Sequence, residues 1–240
     1  MTHFEYINQV QDLISKIEES QKDNIIKVGQ LLADNIKNDH IIHVFGTGHS
    51  MLSAQEIFGR AGGLGNVNAI LDPEVTEIFG AQRASKVERL SGLANIIYEN
   101  YDIKPEDLMI IISNSGRNSV PVEMALRAKK EGLTVIAVTN IEQSSNQTSR
   151  HPSGKKLYEI ADINLDNCIP TGDGVITYGD VLTGPVSTIS NCILLHTSIC
   201  EALAILHAEG FKLPVLQSQN VDGANNDAIY AKYKGRVKHY

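Results

Sequence analysis

The chain reads as a three-layer α/β/α sandwich, with a mostly parallel five-stranded sheet covered by helices on both faces and an N-terminal helical preface. Two observations predict it. From residue 41 onward, short apolar runs alternate with longer segments of helical period. The runs are apolar throughout, as strands covered on both faces are.

The preface spans residues 3–38. Ile7, Val10, Ile14 and Ile17 recur at helical spacing, as do Ile25, Val28, Leu32 and Ile36. The polar run Glu18–Asp23 predicts a break between two helices, with Asp23 as a cap. Strands are expected at 41–45, 67–71, 108–112, 133–139 and 161–165, and helices at 50–60, 87–100, 119–131 and 187–208. Residues 72–86 lack a clear period and read as a lid or substrate-facing loop. Residues 166–186 read as a long connection, and 211–240 as a tail whose Asn225–Asn226 turn caps a final helix. No linker composition divides the chain, so one domain over 1–240 is expected.

Composition narrows the function classes. Of the 240 residues, 42% are hydrophobic and 20% charged, the balance of a globular protein. A formal net charge of −7 argues against nucleic acid as a partner. It leaves a phosphorylated ligand open, because local N–H groups hold a phosphate. No apolar run approaches the ~20 residues of a membrane span, and the N-terminus lacks a secretory h-region. Cys168, Cys192 and Cys200 form no C-x-x-C pair, and Cys192 and Cys200 sit in an apolar helical pattern as core residues. A cytoplasmic protein with no metal, no cofactor and no membrane partner is expected.

Two loops carry the chemistry. The run Met109–Ile112 ends in Ser113-Asn114-Ser115-Gly116-Arg117-Asn118, and a helical stretch follows. A buried strand opening through such a turn into a helix gathers free N–H groups and the positive helix end, which suits phosphate. Ser113, Ser115, Asn114 and Asn118 add side-chain donors. Taken alone, an ordinary strand–turn–helix junction with a cap explains the segment equally well. The second loop shifts the balance. Ile41–Phe45 is followed by Gly46-Thr47-Gly48-His49-Ser50, where the glycines allow close backbone approach and Ser50 opens a helix. His49 either contacts the ligand or caps that helix. A dinucleotide site fits poorly, since Met51 occupies the third glycine position and Asp72 lies too far downstream.

Two such loops in consecutive α/β units resemble the sugar isomerase (SIS) domain family. That family is marked by a strand ending in Ser-x-Ser-Gly-x-Thr, a helix, and a strand ending near Thr-Asn. Here these are Ser113–Asn118, the helix to Lys130, and Val135–Asn140, with Asn118 where Thr is usual. The likeness covers roughly residues 35–210. It is nearest to a small bacterial branch described only as phosphosugar-binding, which shares the look of GTGHS, EIFGRAGGL and GANNDAIYAKYKGR. The resemblance implies an SIS-type sheet and a phosphosugar ligand. It also implies a homodimer and isomerase-like chemistry on a sugar phosphate or amino-sugar phosphate. Its alternative is a non-catalytic sensor acting through a protein partner.

The heptose-phosphate isomerase branch carries a His and a Glu on its first helix, and a Gln and a His on its last. The corresponding positions are Glu56, Arg60, Thr188 and His196, so only the final His is kept. Arg60 replaces an acid, and the zinc-assisted mechanism of that branch does not transfer. The resemblance makes Glu56 and His196 an acid–base pair, whereas a lone His on an apolar helix face is more often a core residue. Arg60 either binds a second acidic group of the ligand or complements a helix C-terminus.

Overall fold

The computed structural model describes residues 4–240. His3, the expected start of the preface, lies outside them. Strands β1 (Ile42–Gly46), β2 (Val67–Ile70), β3 (Leu108–Ile112), β4 (Thr134–Thr139) and β5 (Ile163–Asp166) form one sheet in the order β2-β1-β3-β4-β5. All four pairs are parallel, with Val44 opposite both Ala69 and Ile110.

The pleat divides the strand residues between two cores. Val44, Ile110, Ile136 and Val138 meet Val28 and Leu32 of α1 (Glu5–Lys37) and Leu195 and Ile199 of α8 (Ser187–Ala208). Phe45, Met109, Ile111 and Val135 turn the other way. They meet Ile97 of α4 (Leu93–Glu99) and Val120 and Met124 of α5 (Ser119–Lys130). The three-layer sandwich is therefore the observed fold.

The preface is one helix of 33 residues, not two. Residues 18–23 hold no Gly or Pro, and Glu, Gln and Lys favour helix. The buried stripe Leu13, Ile17, Gln21, Ile25, Val28 also runs straight through the expected break. Gln21 is its polar member, and its Oε1 accepts the N–H of Asp166 at 3.0 Å.

Other boundaries also differ. The first loop's helix, α2, covers only Ser50–Glu56. The expected helix 87–100 is the junction of α3 (Ala81–Val87) and α4, parted at Gly92, whose φ is +90°. Residues 72–86 contain 3-10 turns at 73–75 and 77–79 before α3. Short helices α6 (Ile141–Ser145) and α7 (Leu157–Ile160) flank the 146–156 segment. The 166–186 connection holds an antiparallel hairpin of β6 (Gly174–Tyr178) and β7 (Val181–Pro185). Gly179-Asp180 between β-rich flanks is the local signal for it. The tail contains α9 (Asp227–Tyr233), and Val215 bridges to Leu64.

Two expectations about the last large helix need correction. Helix α8 is long and apolar enough to cross a membrane by length and composition, although its Ser190, Asn191 and Ser198 are buried against the rest of the protein. Cys192 is half-buried and Cys200 exposed, because the buried stripe of α8 runs through Leu194, Leu195, Ser198, Ala202 and Leu206.

Candidate functional site

The strand order reverses between β1 and β3, since the chain leaves β1 for β2 on one side and returns to β3 on the other. Connections diverge at such a point and leave a crevice at the carboxyl ends of the strands. The loops after β1 and β3 both open into it. They line a cavity of about 330 Å³ with Thr47, Ser50, Ser113, Asn114, Ser115 and Asn118, joined by Glu88, Gln143, Gly172 and Asp173.

The first loop is shaped by close approach. A Cβ on Gly46 would lie 2.6 Å from the carbonyl carbon and oxygen of Ser50, so only glycine lets β1 end beneath the first turn of α2. The N–H of Gly48 donates to the Val75 carbonyl at 2.8 Å, and Thr47 Oγ1 donates to Glu88 Oε2 at 3.1 Å. The His49 ring is exposed, with Nδ1 3.2 Å from Glu77 Oε1. Gly48 and His49 do not line the cavity.

The second loop is held by its own side chains. Ser113 donates its N–H to Val138 and accepts the Gly116 N–H at Oγ (3.2 Å). Gly116, at φ +55°, turns the chain where a side chain would meet Thr139, Leu157 and Ser144. Asn167 Nδ2 donates to Asn114 Oδ1 at 2.7 Å, and Arg150 Nη1 donates to Asn118 Oδ1 at 2.8 Å. Both amides are thereby oriented. Among the described residues, no backbone carbonyl accepts the N–H groups of Ser115, Asn118 and Ser119. They stand at the start of the 12-residue α5, where the helix dipole adds positive potential.

Glu88 and Asp173 are the acids of this cavity, and Glu88 is the one with a shifted carboxyl. Burial pushes its carboxyl above the ordinary carboxylate range, against the opposing hydrogen bonds of Thr47 and Asn118 and the charges of Arg89 and Arg150.

Glu56, Arg60 and His196 form a second cluster. His196 Nε2 lies 3.2 Å from Glu56 Oε1, and the Arg60 guanidinium contacts the same carboxylate. Burial, and then the Arg60 charge, hold His196 below its ordinary pKa, so its ring is neutral at pH 7 and meets Glu56 through a hydrogen bond. None of the three lines the loop cavity. Arg60 also sets a cation where the heptose-phosphate isomerase branch has an acid, so the cluster does not fit a divalent metal. Among the described residues, no three His, Cys, Asp or Glu side chains converge elsewhere.

Sequence reasoning missed Thr47, Glu88, Gln143 and Asp173. Gln143 follows the Thr139-Asn140 end of β4, the third strand to open on this crevice, and that position is a usable signal. Glu88 offers none locally, because it reaches the cavity only through the packing of α3 and α5.

The chain matches the SIS domain family over residues 5–140. A UPF0309 protein of Halalkalibacterium halodurans is 42% identical over 225 residues, 92% of this chain and 93% of the relative. One of Thermoanaerobacter pseudethanolicus is 40% identical over 243 residues, 98% of each. Among solved structures, a phosphoheptose isomerase from Neisseria gonorrhoeae superposes with a TM-score of 0.55 at 17% identity, over 82% of this chain and 92% of that one. A phosphoheptose isomerase from Francisella tularensis gives 0.52 at 17%, over 86% and 100%. At that identity the likeness shows a shared fold.

Proposed function

This chain belongs to the SIS domain family, and we propose that it binds a phosphorylated sugar in the cavity between its two loops and acts on it as an isomerase-like enzyme. One observation carries the reading. Two glycine-containing loops from adjacent strands, one bringing Thr47 and Ser50 and the other Ser113, Asn114, Ser115 and Asn118, face one cavity at the sheet's switch point, with the start of α5 behind them. In this reading Ser50, Ser113, Asn114, Ser115 and Asn118 hold the phosphate, with Gly48 and His49 at the edge of the ligand. The phosphoheptose isomerase names of the two fold neighbours support a sugar phosphate as ligand.

Aldose–ketose isomerisation moves a proton between C1 and C2 and needs a second group to polarise the carbonyl. Glu56 and His196 are the proposed pair, with Arg60 on a further acidic or hydroxyl group. Glu56 lies six helical positions beyond Ser50, about 9 Å of rise, so a ligand anchored at Ser50 has to extend along α2 to reach the pair. Elimination of a sugar substituent would use the same pair. We place this activity in a cytoplasmic homodimer. The free cysteines are in keeping with that compartment, and the exposed Ile14 and Ile26 of α1 and Ile189 of α8 with that assembly.

A sensor acting through a protein partner is the second reading. It is favoured by the Arg60 contact that already occupies Glu56 and by the absence of Glu56 and His196 from the cavity wall.

Incubation of the purified protein with a panel of hexose, pentose, heptose and amino-sugar phosphates, each followed by NMR, tests both. Conversion of one compound supports the enzyme. Binding without conversion supports the sensor, and binding of none refutes the phosphosugar reading.

A further inference from the structure

The sequence holds seven arginines. Arg60, Arg83, Arg127 and Arg236 contact carboxylates. Among the described residues, Arg89, Arg117 and Arg150 do not. Arg89 donates to Ser85 Oγ, Arg117 to Gln147 Oε1 and Thr148 Oγ1, and Arg150 to Asn118 Oδ1, all neutral acceptors. The Arg117 Nε is buried with no partner at all.

These three belong to one place. The Arg150 N–H donates to the Arg117 carbonyl at 2.8 Å, and Arg117 precedes Asn118 in the second loop. Arg89 follows Glu88, whose carbonyl accepts the Val120 N–H in the first turn of α5. All three are thus tied to the start of α5, at the edge of the cavity that Glu88 and Asn118 line. Burial, and then the charges of Arg117 and Arg89, disfavour the charged form of Arg150, with the Glu88 carboxylate acting the other way. Of the nearby carboxylates, Glu88 hydrogen-bonds Thr47 and acts on Arg89 and Arg150 by charge without a close ion pair, and Glu123 meets the Gly92 N–H and His151. In a chain with 28 acidic side chains against 21 Lys and Arg, three guanidiniums gathered without an ion pair are a selective arrangement.

We propose that Arg89, Arg117 and Arg150 form a second anion-recognition patch beside the phosphate loop, and that the ligand is a sugar phosphate bearing a further anionic group, a carboxylate or a second phosphate. The inference rests on the phosphosugar reading and narrows it. Guanidinium forks match both anions bidentately. The patch shares its edge with the cavity, so one ligand can engage both.

Calorimetry at about 0.15 M salt, near physiological ionic strength, tests it with two matched pairs: glucose 6-phosphate against 6-phosphogluconate, and fructose 6-phosphate against fructose 1,6-bisphosphate. The wild type is expected to bind the doubly anionic member of at least one pair roughly tenfold tighter or more. Arg89→Gln is the cleaner variant, because among the described residues that guanidinium hydrogen-bonds only Ser85 and acts on Glu88 by charge alone. It should remove most of the preference and leave monophosphate affinity within about twofold, with an unchanged melting temperature as the folding control. Arg150→Gln should do the same, with some loss for both compounds through Asn118. Which pair shows the preference separates carboxylate from phosphate. Equal affinities within both pairs, or an Arg89→Gln variant that keeps the full preference or weakens both members alike, would overturn the proposal while leaving the phosphosugar reading intact. Binding of none of the four compounds overturns the proposal, and the wider sugar-phosphate panel then decides the reading itself.

Discussion

His196 Nε2 meets Glu56 Oε1 at 3.2 Å, joining the middle of α8 to the last residue of α2 across 140 positions of sequence. If this pair transfers the proton, Glu56→Gln and His196→Ala should leave ligand affinity largely intact and reduce turnover by 10²-fold or more, on the order of a general acid–base contribution. Both side chains are more than a third exposed, so melting temperatures should hardly move. Turnover per folded molecule equal to wild type in both variants would remove them from the mechanism.

The phosphate anchor predicts a binding loss. Hydrogen bonds to a charged group are worth about 1.5–3 kcal/mol each, so Ser113→Ala with Ser115→Ala should weaken sugar-phosphate binding by tenfold or more. Unchanged affinity by calorimetry would reject the assignment. Gly116→Ala should also weaken binding. Its φ of +55° disfavours a side chain by about 1–2 kcal/mol, and its Cβ would press within 3.2 Å of Thr139, Leu157 and Ser144.

Below the sheet, Asp107 predicts a pH dependence. His43 and Asp107 are buried, with Nε2 3.0 Å from Oδ2, and the same carboxylate accepts the N–H groups of Ile41 and Lys104. Burial alone would raise the Asp107 pKa, but these bonds outweigh it and hold the group below the ordinary carboxylate range. A depressed folded-state pKa gives stability that is complete above the unfolded value of about 3.9 and lost as pH falls through the folded value. Asp107→Asn should therefore destabilise the protein at pH 7, by about 1–3 kcal/mol for buried donors that lose a carboxylate partner, with the gap to wild type narrowing below about pH 4. Urea unfolding at pH 7 and pH 3 measures it. A gap that stays constant would contradict the linkage.

Exposed isoleucines on α1 and α8 predict self-association. Light scattering at micromolar concentration should give at least twice the 26.2 kDa chain mass, and Ile14→Glu with Ile26→Glu should lower it. A monomeric wild type would reject the dimer.

The sequence by itself determined the sandwich and its two loops, because both are written in contiguous residues. Apolar runs such as Met109–Ile112 fix strands by period, and GTGHS and SNSGRN each complete a strand-to-helix turn within a few positions. Tertiary structure decided the rest. Whether Glu18–Asp23 bends or continues as helix depends on what Gln21 meets, and it meets the Asp166 N–H. Glu88 enters the cavity because Thr47 and the first turn of α5 receive it, and Arg150 orients Asn118 across 32 positions. Hydrophobic period tells which face of an element is buried. It does not say which polar groups from distant elements will share the space at the sheet's end, since each finds its partner only after the cores have packed.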